Sequence, residues 1–423
     1  MAETTLFRDV RVFDGTSDRL TATTDVLVAA HAITAIGAVA APASDEQRTT
    51  VEGGGRVLMP GLIDAHVHLM FGMLSMADVL GADGTYLGLA AGVGAEAMLR
   101  RGFTSVRDCG GPSFGLKRAV DSGLVVGPRI WPSGAFISQT AGHGDFRSTA
   151  EVPRGLCGHL SYTEIMGGAV VADGVPEVLR GVRQQLMRGA TQIKVMAGGG
   201  VNSSYDPLDV TEYSEDELRA AVEAAADWGT YVLVHAFTPR AVQRAISAGV
   251  RCIDHGHLLD EETAALMAEA GVWWSLQPFL DDEFSNVIKD PVKRAKQLTM
   301  IAGTDTAYGL AIKHKVKLAF GTDALFDPKL AKGQGAQLAK LTRWFTPAEI
   351  LRMATSTNAE LLALSGERNP YPGRLGVVEV GALADLLLVD GDPLSDISLV
   401  ARPDEAFVVI MKNGVVHKNT LAA

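Results

Sequence analysis

Eight short apolar segments limit what this chain can fold into. They span residues 62–69, 103–108, 129–134, 191–196, 230–235, 251–255, 272–277 and 316–322. Segments of this length, bounded by turn residues or helical patterns, read as strands. Amphipathic stretches lie between several of them. Residues 214–228 form one, with Ser214 as N-cap and Glu217 completing a capping box; 239–248 and 261–270 are others. Apolar strands alternating with helices predict βα units around a parallel sheet. Eight such units over roughly 250 residues is the size of a (β/α)8 barrel of the TIM type.

The two ends of the chain read differently. Residues 6–13, 25–30, 32–36 and 51–59 are strand-like, with turns at Asp14-Gly15 and Gly53-Gly54-Gly55. Residues 376–380, 384–389 and 406–415 repeat the style, with Lys412-Asn413-Gly414 as a hairpin turn. The expectation is a composite β-sandwich domain from 1–59 plus 375–423, with a catalytic barrel over 60–374 inserted between its halves. A chain of 423 residues is long enough for both.

In such barrels chemistry sits at the C-terminal ends of the strands, and the polar residues fall there. His66 and His68 stand at i and i+2 near the end of the first apolar strand, so they share a face and can chelate one ion. Alone, such a pair reads as two histidines on a half-exposed strand. Here Lys194, His235, His255 and Asp323 occupy the same end of four other strands. Lys194 has apolar neighbours, and a buried ammonium is costly. Its neutral amine can add carbon dioxide to give a carbamate that bridges two cations; an ion pair with Asp108 or Asp323 is the other reading. His235 and His255 read as ligands or as hydrogen-bonded core histidines. His257, two residues on, is a candidate for contact with substrate or for support of the ligands. Asp323 reads as ligand and proton shuttle, or as a helix cap.

His143 lies in Ser138-Gln139-Thr140-Ala141-Gly142-His143-Gly144-Asp145, a loop after the third strand. It could polarise a carbonyl or bind an anion. Gly198-Gly199-Gly200 reads as a pliable loop over the site, since no phosphate-loop lysine follows it. Tyr205 in that loop is a candidate for a substrate carboxylate, together with Lys117 and Arg147. Met70, Phe71, Met73, Leu74 and Met76 suggest an apolar pocket or a core layer.

Pro60-Gly61-Leu62-Ile63-Asp64-Ala65-His66-Val67-His68, the strand-four lysine, the two later histidines and Gly321-Thr322-Asp323-Ala324 resemble the amidohydrolase superfamily. Gly381-Ala382-Leu383-Ala384-Asp385-Leu386-Leu387-Leu388-Val389 is similar to its C-terminal signature. The Gly-His-Gly loop at His143 and the run from Ile193 to Gly200 resemble the binuclear branch of Xaa-Pro and Xaa-Arg/Lys dipeptidases and ochratoxinase. The resemblance implies two divalent ions, usually zinc. It assigns His66, His68 and Asp323 to one and His235 and His255 to the other, with Lys194 as bridging N6-carboxylysine. It further implies that a metal-bridging hydroxide attacks an N-acyl amino acid or dipeptide and releases its C-terminal residue, with Asp323 moving the proton and His143 near the oxyanion.

The alternatives are an imidazolonepropionase-like hydrolase or deaminase acting on cyclic amides or lactones, and a non-catalytic scaffold. Lys194 counts against the first and the intact ligand set against the second. A net charge of −11 without a basic cluster argues against a nucleic-acid partner. No apolar run reaches the ~20 residues of a membrane span, and residues 1–5 lack signal-peptide order. Cys109, Cys157 and Cys252 lack Cys-x-x-Cys spacing and read as reduced thiols of a cytoplasmic protein. A homo-oligomer is expected from the resemblance.

Overall fold

The computed structural model describes residues 4–39, 48–152, 156, 158–203, 205–283 and 285–421. Cys157 lies outside the described residues. Eighteen strands occur among them. The first five are β1 (Thr4–Val12), β2 (Thr24–Ala29), β3 (Ala32–Ile36), β4 (Arg48–Glu52) and β5 (Val57–Pro60). The last three are β16 (Leu386–Val389), β17 (Phe407–Lys412) and β18 (Val415–Asn419). These eight join in one sheet of order β18-β17-β16-β5-β1-β2-β3, with β4 on β1. The two chain ends therefore meet, as β5 pairs antiparallel with β16 from Pro60↔Leu386 to Val57↔Val389. Lys412 pairs with Val415 across Asn413 and Gly414, both at positive φ (55° and 76°), the backbone a tight hairpin requires. Residues 376–380 form no strand; Val377 and Val378 are buried there, and Val378 N–H donates to Asp14 O at 3.0 Å.

The middle carries the parallel strands. β6 (Leu62–Val67), β7 (Phe103–Asp108) and β8 (Arg129–Pro132) form one sheet. A second contains β9 (Phe136–Ser138), β10 (Ala169–Val171), β11 (Ile193–Met196), β12 (Val232–Ala236), β13 (Cys252–His255), β14 (Trp273–Leu276) and β15 (Lys317–Phe320), in the order β10-β9-β11-β12-β13-β14-β15. Each of the eight expected segments contains one strand. The three-residue β9 and β10 were not expected; they are too short to carry a periodic pattern. The helices Glu215–Ala226, Pro239–Ser247 and Glu261–Glu269 follow β11, β12 and β13. The Ser214–Glu217 capping box forms.

Side chains and loops link the two parallel sheets. Thr191 N–H, just before β11, donates to Pro132 O at the end of β8 at 2.8 Å. Between β15 and β6 the carboxamide of Asn358 stands in for ladder bonds. Its Nδ2 donates to Ile63 O (2.8 Å) and Phe320 O (2.9 Å), and its Oδ1 accepts from Phe320 N–H (3.1 Å). Just beyond, Gly321 passes so close to β6 that a β-carbon would lie 2.4 Å from that of His66. Only glycine brings the following Thr322-Asp323 against His66 in this way.

Candidate metal centre

Five strands bring the polar residues to one end. His66 lies in β6, Lys194 in β11 and His235 in β12; His255 closes β13 and Asp323 follows β15. His255 (φ 74°) and Asp323 (φ 49°) adopt left-handed backbone. Outside glycine that conformation is uncommon and concentrates at functional sites. Of the eleven polar candidates, His66, His68, His143, Lys194, His235, His255 and Asp323 line one cavity.

His66 Nε2 lies 3.3 Å from His68 Nε2. Asp323 Oδ1 lies 3.3 Å from the first and 3.2 Å from the second. His66, His255 and Asp323 form a further set whose ligand atoms all fall within 4.8 Å of one another. The His235 and His255 rings stand 4.5 Å apart. Nitrogen lone pairs and a carboxylate facing one another at this range are a donor set that a cation satisfies.

The opposite ring nitrogens support this. His68 Nδ1 donates to Gly110 O (3.0 Å), His255 Nδ1 to Gln277 Oε1 (2.7 Å) and His235 Nε2 to Gly199 O (3.2 Å). The amide of Gln277 is oriented by its own Nε2, which donates to Ser275 O at 3.0 Å. A carbonyl only accepts, so each contact fixes a proton on one nitrogen and leaves the other as a lone pair. Burial holds His68 below, and His235 and His255 well below, the ordinary histidine range, so these rings stay neutral as ligation requires. His66 differs: burial opposes its charge, but Asp254 and Asp323 outweigh it and shift the ring upward.

Lys194 is 1% exposed and its amine reaches Asp254 Oδ2. Neither Asp108 nor Asp323, the partners in the alternative ion-pair reading, takes it. Asp108 instead accepts from the Ser113 hydroxyl and from Leu69 N–H (3.1 Å), and burial pushes its carboxyl up to about 7. Asp254 also pairs with the buried Arg107 at 2.8 Å. Burial would raise the Asp254 carboxyl, but Lys194, His66 and Arg107 outweigh it and hold it well below the usual range. Arg107 and Asp254 were passed over in the sequence. The signal was present: both are charges inside apolar strand segments, where burial demands partners.

His143 enters the cavity from its loop and stacks on His235, 4.1 Å between centroids and 14° between planes. Its Nδ1 lies 3.0 Å from Ser203 Oγ and 3.2 Å from Asp206 Oδ2, and its N–H donates to Glu212 Oε1 at 2.9 Å. The loop glycines make room: a β-carbon on Gly200 would lie 1.9 Å from His143 Cε1.

Tyr205 and His257 do not line the cavity. Tyr205 is half-buried in its loop. His257 is buried behind Gln277, whose main-chain oxygen lies 3.0 Å from His257 Nε2, and burial lowers its ring to about 4. Lys117 and Arg147 do not line it either; they pair with Asp121 and Asp145. The apolar wall includes Met76 and, among others, Phe136, Phe146, Phe279, Leu325 and Phe326. Met70, Phe71 and Leu74 lie in a core cluster behind it.

Glu212 gives this end a pH signature. Burial, and then Asp206, pushes its carboxyl from 4.5 up to about 9. Between those values the folded chain holds a proton that the unfolded chain has lost. Stability therefore falls as pH rises through that window. Glu212→Gln removes this dependence while keeping an acceptor for His143 N–H. In thermal unfolding the variant should gain on the wild type from pH 5 to pH 8 by on the order of 2–4 kcal/mol. A constant difference over that range would mean that Glu212 is ionised in the folded chain.

Known proteins match along most of the chain. Ochratoxinase of Aspergillus niger is 34% identical over 384 residues, 86% of this chain and 76% of that protein. A prolidase solved in complex with N-methylphosphonate-L-proline shares 34% identity at a TM-score of 0.89, over 99% of this chain and 100% of that one. A Xaa-Pro dipeptidase solved with methionine in its active site shares 27% at a TM-score of 0.84, over 99% and 100%. The model of the amidohydrolase family spans residues 57–419, from β5 through the candidate centre into β18, and the chain belongs to that family.

Proposed function

We propose that this amidohydrolase is a two-metal amide hydrolase that releases the C-terminal residue from N-acyl amino acids or dipeptides. The carrying observation is the convergence of His66, His68, Lys194, His235, His255 and Asp323 on one cavity, with three of the four histidines held on their outer nitrogen by a carbonyl. In this reading β6, β7, β8 and β11–β15 close a (β/α)8 barrel over 60–374, and 1–59 plus 375–423 form a composite β-sandwich domain. His66, His68 and Asp323 would hold one divalent ion, zinc in our reading; His235 and His255 would hold the other, and Lys194, as N6-carboxylysine, would be the ligand shared between them. When bound, such a pair supplies a nucleophile at neutral pH and Lewis-acid stabilisation of charge.

The chain's own residues do the rest. Burial would raise the Asp323 carboxyl, but the surrounding histidines hold it well below the usual range. It is therefore ionised and can take a proton at Oδ1 or Oδ2 and return it to the leaving amine. His143, held at Nδ1 by Ser203 and Asp206 and stacked on His235, lines the cavity where it can meet the substrate's carbonyl. The aromatic wall excludes water and receives apolar groups.

Lys340 replaces Lys117 and Arg147 as a candidate for the substrate carboxylate. Apart from Lys194 it is the only Lys or Arg among the described lining residues, and it pairs with Asp282 at 2.8 Å. The test compares an N-acyl amino acid with its C-terminal amide at fixed metal content. Loss of the carboxylate removes a hydrogen bond between charged groups, which is worth about 1–3 kcal/mol. kcat/KM should fall by about five- to a hundredfold; a smaller drop, below ~1 kcal/mol, would mean that the carboxylate is not read.

We place the protein in the cytoplasm as a homo-oligomer. No helix among the described residues is long and apolar enough to cross a membrane. Tyr86, Leu89 and Val93 stand exposed (51%, 68% and 64%) on the helix Gly84–Arg100, an apolar stripe suited to self-association. Sedimentation at the 44.6 kDa of one chain would contradict the oligomer.

A further inference from the structure

Asp254 has no part in the chemistry above, yet four groups converge on its carboxylate. Oδ1 accepts from Arg107 Nη2 at 2.8 Å and faces Cys252 Sγ at 3.7 Å. Oδ2 accepts from the Lys194 amine and lies 3.5 Å from His66 Nδ1. The Asp254, Arg107, Lys194 and His66 side chains are at most 1% exposed. Arg107 is itself clamped, with Nε on Ala65 O (2.5 Å) and Nη1 on Tyr231 Oη (3.2 Å). One oxygen of Asp254 is thus anchored to the strands below, and the other faces two candidate ligand residues.

His66 completes the pattern. The other three candidate ligand histidines each give their outer nitrogen to a carbonyl. His66 Nδ1 has no hydrogen bond within the usual range, and Asp254 is the carboxylate it faces. Carboxylate support of a ligating imidazole fixes its tautomer and raises its basicity.

Lysine chemistry makes the same demand. In carboxylation the amine lone pair forms an N–C bond to carbon dioxide. One N–H proton leaves for solvent, and the two oxygens carry the charge. The nitrogen keeps one N–H, which in this dry interior needs an acceptor. We propose that Asp254, clamped by Arg107, is the positioning residue of the metal centre, holding the Lys194 nitrogen and the His66 ring in register without touching either ion. This rests on the two-metal reading above.

The test uses two variants of the full chain. Asp254→Asn removes the carboxylate but strands the Arg107 charge. Asp254→Asn with Arg107→Met removes both charges together, which a buried pair tolerates better than loss of one partner. Circular dichroism and thermal unfolding check the fold. Metal affinity is read by competition with a chromophoric chelator, and the lysine carbamate by its 13C resonance after equilibration with 13C-bicarbonate. In the folded variants zinc affinity should fall about ten- to hundredfold, and the carbamate resonance should vanish. A loss of packing alone would not erase that resonance at matched fold content. A folded variant that keeps both the wild-type affinity and the resonance overturns the role of Asp254. A wild type that lacks the resonance overturns the lysine bridge itself, which is a separate result.

Discussion

Asp323→Asn should lower kcat by ~10²–10⁴, the usual effect of losing a positioned proton acceptor. The substitution keeps the shape of the side chain. It replaces an oxygen that faces His66 and His68 Nε2 at 3.3 and 3.2 Å with an amide that cannot take a proton. Asp323 is suited to this work because its side chain, 15% exposed, still meets the cavity while the other ligand candidates are almost sealed. Its left-handed backbone (φ 49°) suits aspartate or asparagine, so the variant should fold with little penalty. Metal content is measured on the same sample. A variant that retains both ions and near wild-type turnover would show that Asp323 is not the shuttle.

Removal of metal should cost more. Lewis-acid stabilisation and nucleophile generation are worth several kcal/mol of barrier, so a chelated sample should lose at least ~10³ of its rate. Zinc added back should restore it. Thermal stability should move with activity, because an ion that binds only the folded chain stabilises it by mass action. The chelated protein should also bring together His66 Nε2, His68 Nε2 and Asp323 Oδ1 with no cation between them. Full turnover after verified metal removal would refute the metal reading whatever the substrate.

Much of this site is legible in the sequence because metal ligands sit where strand ends put them. His66, His235, His255 and Asp323 stand at or near the ends of apolar runs and Lys194 lies inside one, and apolar runs of this length become strands. Asp254 was legible as a charge inside an apolar segment, but not as a part of the site. Strict alternation places Asp254 and His255 on opposite faces of β13, so choosing His255 as a ligand removes Asp254 from view. The positive φ of His255 breaks that alternation and lets both side chains reach the site. Loop residues were the other gap. His143 stands in the cavity while Tyr205 does not, although both are loop residues near the same end. Hydrogen bonds to Asp206 and Glu212 decide that, and those partners are some 60 to 70 positions away in sequence. In the terminal sheet, residues 376–380 have a strand-like composition but no partner strand, and composition alone cannot reveal that.

Diffraction from zinc-loaded crystals, with data collected across the zinc absorption edge, tests the central claim most directly. Two anomalous peaks per chain are expected. One should lie among His66, His68 and Asp323 and the other beside His235 and His255, with the density of Lys194 extended by a carboxylate that touches both. A single peak, with the Lys194 amine bare and still paired to Asp254, would contradict it.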